Sequence, residues 1–200
     1  MDDLIRQEDL QKEAHEVLDK LDLLNILSRY GPPQIVGSLA TGLMTWKDID
    51  IEIVGPIDEE KYWKVVKKIF HTPGYKRTFV IDFRKSVNPN TPKGLHICIT
   101  DYSLREGEDP WKMDIWFVDR NEGEITFHDW IKDKISDENK PYLLSLKKEA
   151  RKYPNYGKDI FSIDVYKAVI EHNAKNIEDF KKYLRLTNRS LNEHETPHTH

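Results

Sequence analysis

The chain has 200 residues, 38% hydrophobic and 33% charged, with a formal net charge of -4. That length suits one domain or a small domain with a helical appendage, and five Trp and nine Tyr set the composition apart from that of disordered chains. The acidic balance argues against an overall basic field that would recruit long nucleic acid. One cysteine, Cys98, excludes an internal disulfide and a cysteine-based zinc cluster, and with no apolar leader or span the sequence predicts a cytoplasmic protein without a membrane segment.

Residues 4–29 predict one long helix, because Leu10, Ala14, Val17, Leu18, Leu21, Leu24 and Leu27 recur at three- and four-residue spacing. Gly31-Pro32-Pro33 stops it. Residues 34–37 read as a brief strand opening into a turn at Ser38, and residues 39–43 as one helical turn. Residues 48–54 alternate acid and apolar side chains with period two, the pattern of a half-buried strand. Gly55-Pro56 ends that strand. Asp58 is placed to cap a helix through Phe70 with Tyr62, Val65, Val66 and Ile69 on its apolar side. Three more strands are expected over 78–84, 95–100 and 112–118, separated by loops rich in Pro, Asn, Gly and charge. From Thr126 the pattern is helical, over 126–136, 140–152, 161–173 and 176–186, and from Asn188 it is polar and frayed. The expected division is a core of 1–125 with its N-terminal helix, a helical region of 126–187 and a flexible tail of 188–200. The fold class is α+β or α/β with a C-terminal helical part.

The stretch that carries chemistry is Val36-Gly37-Ser38, nine residues, then Asp48-Ile49-Asp50. On a strand, residues i and i+2 share a face, so Asp48 and Asp50 project together, about 6 to 7 Å apart at the Cα atoms. Adjacent carboxylates repel unless a cation joins them, and such a pair suits magnesium, which prefers hard carboxylate oxygens. Gly37 permits a tight turn and close approach of backbone to a phosphate. The N–H groups after it form an anion cradle, and the Ser38 hydroxyl can donate to a phosphate oxygen. A third acid is expected on another strand. Asp114, alone in the apolar run Trp111-Lys112-Met113-Asp114-Ile115-Trp116-Phe117, is preferred over Asp82, for which an ion pair with Arg84 two residues on is a sufficient account.

Gly-Ser, a nine-residue gap and Asp-x-Asp between apolar residues resembles the nucleotidyltransferase pattern of the DNA polymerase β superfamily. The match covers positions 36 to 51, and the Asp114 strand extends it to about 118. The resemblance implies a nucleotidyltransferase fold, with a mixed β-sheet flanked by helices. It implies that Gly37 and Ser38 hold the triphosphate of an NTP such as ATP. Asp48, Asp50 and Asp114 would be the catalytic acids and the ligands of a two-magnesium site. The reaction implied is attack by an acceptor hydroxyl on the α-phosphate with release of pyrophosphate, Asp114 helping to remove the hydroxyl proton.

Other features have simpler readings. Glu52 shares the face of the two acids but reads as an exposed strand end, and Lys47 as a solvated lysine. Trp46 is a candidate to stack on a base or sugar, and His96 reads as a satisfied, partly buried histidine. Cys98 reads as a buried, inert thiol. Arg189 and His194 match the spacing of a helical RNase family by coincidence. A small-molecule acceptor is favoured, since the chain is acidic and lacks a basic stripe. The alternatives are a protein or RNA acceptor, and a nucleotide-binding regulatory module without turnover.

Overall fold

The computed structural model describes residues 2–73, 77–87, 91–119 and 127–192. The chain divides into two compact units, one of Glu8–Ile125 and one of Met1–Gln7 with Thr126–His200. No helix among the described residues is long and apolar enough to cross a membrane.

Helix α1 (Asp3–Lys20) enters the first unit at Glu8 and is followed by a separate helix α2 (Leu23–Ser28). The single long helix expected over 4–29 is therefore corrected to two. Leu21 and Leu23 are both buried, yet residues two apart lie on opposite sides of a straight helix. A break at Asp22 turns both inward. Asp22 takes the left-handed conformation at φ 49, which a short polar side chain tolerates best after glycine, and its carboxylate accepts a bond from the Asn25 amide at 2.9 Å.

The remaining elements of this unit are β1 (Pro33–Val36), α3 (Gly37–Thr41), β2 (Asp48–Val54), α4 (Glu59–Phe70), β3 (Arg77–Asp82), β4 (Gly94–Tyr102) and β5 (Trp111–Val118). Asp58 caps α4 by accepting from the Lys61 N–H at 3.1 Å. The five strands form one mixed sheet in the order β1-β2-β5-β4-β3. β2 and β5 are parallel, and the other neighbours are antiparallel. β5, laid down last, is thus inserted into the middle.

The two faces of the sheet differ in kind. One carries Ile49, Ile51 and Ile53 of β2, Met113, Ile115 and Phe117 of β5, and Leu95, Ile97 and Ile99 of β4. These join a single core with Ala14, Val17 and Leu18 of α1 and Tyr62, Val65 and Ile69 of α4. Tyr62 packs edge-on against Phe117 with ring centroids 5.0 Å apart and donates its hydroxyl to the His96 carbonyl at 3.2 Å. The other face takes the alternate residues, Asp48 and Asp50, Lys112 and Asp114, His96 and Cys98, because the side-chain period is two.

The second unit holds α5 (Phe127–Lys132), α6 (Lys140–Ala150), α7 (Ser162–His172) and α8 (Ile177–Leu186). α6, α7 and α8 pack on one another, burying Leu143, Leu144, Val165, Ala168, Phe180 and Leu184. Fraying does not begin at Asn188. Arg189 pairs with the buried Asp164 at 2.7 Å, Leu191 is buried, and Asn155 donates to the Ser190 carbonyl at 2.9 Å. The tail beyond residue 192, with His194, His198 and His200, lies outside the described residues.

Candidate active site

The strand β2 gives Asp48 and Asp50 a common face, and the register sets Lys112 opposite Asp48 and Asp114 opposite Asp50. One ligand oxygen from each of Asp48, Asp50 and Asp114 lies within 4.8 Å of the others. The structure therefore brings together the three acids singled out in the sequence. Their all-oxygen, anionic donor set fits a hard divalent cation such as magnesium or manganese.

The turn at Gly37 adjoins the second acid. Val36 pairs with Asp50 across β1 and β2, and Gly37 has φ +64. A Cβ built there would stand 2.3 Å from an Asp50 carboxylate oxygen. Glycine is thus demanded twice, by the left-handed backbone and by the approach of a carboxylate. Ser38 follows it in the first turn of α3 and is 8% exposed, and the Thr41 hydroxyl closes that turn by donating to the Gly37 carbonyl at 2.9 Å.

Each acid is held by neighbours. The Trp46 indole N–H donates to Asp48 Oδ2 at 3.3 Å, so Trp46 orients a carboxylate. Asp114 is buried and has a partner on each oxygen: His96 Nε2 at 3.0 Å on Oδ1 and the Lys112 ammonium on Oδ2. Because an ionised carboxylate only accepts, Nε2 carries the proton and donates. The ring lies flat on Trp116, with centroids 4.2 Å apart. Its Nδ1 is buried without a hydrogen-bond partner among the described residues.

These contacts set the charges. Burial alone would raise the Asp114 pKa, but the His96 and Lys112 bonds outweigh it and hold the carboxyl below its ordinary value. Burial would lower the pKa of Lys112, and the attraction of Asp48 and Asp114 raises it instead. Asp114 is thereby held in the ionised form that a metal ligand needs. Cys98, opposite Asp114 in the register, has its thiol pushed up to about 12 by burial and then by the Asp114 charge.

The other sequence candidates lie elsewhere or do other work. Asp82 sits at the exposed end of edge strand β3, paired with Arg84 Nε at 2.9 Å. Lys47 is not solvated: its ammonium bonds Glu13 at 2.5 Å and Glu108 at 3.3 Å and lies 5.6 Å from the centre of the Trp111 ring. Glu52 lies in the row beyond Asp50, opposite Trp116. Lys112 and the orienting role of His96 escaped the sequence reading. The available signal for Lys112 was its spacing, two residues before Asp114 and therefore on the same strand face.

No family model and no curated protein matches the sequence. Solved structures do match. Cid1, described for its RNA terminal uridylyl transferase activity, superimposes with a TM-score of 0.54 at 19% identity, covering 80% of this chain and 46% of that one. Cid1 in complex with its short product ApU gives 0.57 at 19% identity, covering 80% and 48%. A cytoplasmic RNA terminal U-transferase gives 0.53 at 18% identity, covering 81% and 53%. The chain spans about half the length of these structures, and at such identities the likeness is one of fold. The mixed five-stranded sheet flanked by helices is the fold shared with these structures, and here it carries the three acids on its paired strands β2 and β5.

Proposed function

We propose that the chain is a magnesium-dependent nucleotidyltransferase that transfers a nucleoside monophosphate from an NTP to an acceptor hydroxyl. The observation that carries this reading is the convergence of Asp48, Asp50 and Asp114 to within 4.8 Å, beside a glycine turn that admits no side chain. In this proposal the three aspartates hold the metal, and Gly37 and Ser38 receive the triphosphate. When bound, the divalent ions offset the charge of the triphosphate and align nucleophile with leaving group. The acceptor oxygen bonds to the α-phosphorus as its proton passes to water, the bond from the α-phosphorus to the oxygen bridging it to the β-phosphate breaks, and pyrophosphate leaves with the electron pair. His96 keeps Asp114 ionised and pointed at its two partner aspartates, and Trp46 orients Asp48 through its indole N–H.

A small-molecule acceptor is our reading of the specificity. A net charge of -4 supports it, since binding to a phosphate backbone draws mainly on Lys and Arg. The fold likeness to RNA terminal uridylyl transferases equally supports an RNA acceptor. Labelled ATP, GTP, CTP and UTP with magnesium, incubated with the protein alone, with short RNA and with a cell extract, decide between them by where the label ends. Asp48→Asn with Asp50→Asn is expected to abolish pyrophosphate release while leaving the circular dichroism spectrum unchanged. Pyrophosphate release undiminished in that variant refutes the site. Nucleotide binding without any release identifies a regulatory module instead.

A further inference from the structure

Asp48, Asp50, Lys112 and Asp114 occupy the corners of a square on one face of the sheet, three acids and one base. The base is no ordinary surface lysine. Its stem is half exposed, yet its ammonium turns back to bond Asp114 Oδ2, leaving His96 the other oxygen. Both Asp114 oxygens are already engaged, one by His96 and one by this ammonium, so a divalent cation joining the three carboxylates has to compete at close range with the lysine charge. The two cations repel, so they do not share the position.

We propose that Lys112 is a tethered counter-ion of the metal site. It neutralises part of the aspartate cluster on its own, and it has to swing out for a divalent ion to bind. A flexible four-carbon stem with a compact charge at its end allows that movement without altering the strand. The released ammonium lies on the side of the sheet where the triphosphate is proposed to arrive, and a phosphate oxygen offers it a new partner. Lys112 thus weakens the site for metal alone and favours metal that comes with a nucleotide. This inference rests on the reading of the three aspartates as a metal site.

The test is Mn2+ titration, followed by the loss of the free-ion paramagnetic resonance signal and by the thermal midpoint, without nucleotide. Lys112→Met is expected to bind Mn2+ at least about tenfold more tightly than the native protein, the scale on which neighbours of metal ligands act. Its midpoint should start lower and rise further as Mn2+ is added, because Asp114 has lost the ammonium that bonds it. Lys112→Gln, neutral and still able to donate to Asp114, is expected to do the same and serves if Lys112→Met does not fold. Lys112→Arg, which keeps the charge, should resemble the native protein. Equal Mn2+ affinity in the native and both neutral variants overturns the counter-ion role and leaves the metal site standing. No Mn2+ binding by any of them, with Asp48→Asn as the control, overturns both.

Discussion

The same short pattern, an acid and a base two residues apart, occurs where β3 ends, Asp82 with Arg84 in the turn beyond it, and within β5, Lys112 with Asp114. In both the pair bonds, and in both the acid is held below its ordinary pKa. The causes differ. Asp82 lies at the edge of the sheet, half exposed, and the Arg84 bonds bring it down to about 2. Asp114 lies in the central strand, where burial opposes ionisation and two partners are needed to overcome it. Two further carboxylates face it across β2. An acid–base pair in a sequence therefore says little about its use. The position of its strand in the sheet decides whether the pair is a solvated contact or part of a charged cluster.

Substituting the two aspartates tests that distinction most directly. Asp114→Asn is expected to lower pyrophosphate release by about a thousandfold or more, several kcal/mol of lost charge stabilisation, whereas Asp82→Asn should change it less than about twofold. Similar losses in the two variants would show that centre and edge do not differ. Cys98 probes the same burial without mutation. Its thiol, raised from 9.0 to about 12, should react with a disulfide reagent at pH 8 at least about tenfold more slowly in the folded protein than in urea, since less of it is the nucleophilic thiolate. A fast native reaction would mean that the central strands are open to solvent.

Glycines sharpen the contrast in energetic terms. Gly37→Ala has to meet both a left-handed backbone and the Asp50 carboxylate, and should cost about 2 kcal/mol or more by urea midpoint. Gly107, in the loop before β5, has φ +82 and open space around it. Its replacement by alanine should cost only the backbone strain of about 1 kcal/mol. The smallest effect belongs to Arg84→Ala. Because the folded Asp82 pKa is depressed, the stability its pair supplies is present above the ordinary value of 3.8 and is lost as pH falls through about 2. At pH 7 the urea midpoint should shift little, as for exposed ion pairs generally, and below pH 2 the native and variant curves should coincide.

The elements legible in the sequence were those whose signals are local. β2 runs over residues 48–54 as expected, because strict alternation of acidic and apolar residues leaves no other register. α4 begins at Glu59 because Asp58 caps it. What the sequence withheld depends on contacts between distant segments. Nothing near Asp22 announces a break; it follows from burying Leu21 and Leu23 together. The polar look of residues 188–192 conceals the Arg189–Asp164 pair and the buried Leu191. α5 ends at Lys132 instead of near residue 136, where Ser136 and Asn139 exchange side-chain bonds to each other's backbone N–H. At the site, Asp48 and Asp50 follow from period two alone. The His96 partner of Asp114 requires knowing that β4 and β5 are neighbours. Asp82 and Asp114 each have a base two residues away, and only the apolar surroundings of Asp114 set it apart in the sequence.

The parallel pairing of β2 with β5 joins segments about sixty residues apart in the chain. A slide of β5 by one residue would send Met113 and Ile115 out among the carboxylates and drive Asp114 into the packed interior. Such a misthreaded chain would suffer on both sides of the sheet at once, so correct assembly of the hydrophobic interior and correct assembly of the acidic cluster are one event. Folding intermediates that lack the inserted strand should have no cation affinity at all, and the appearance of that affinity would report when the sheet closes.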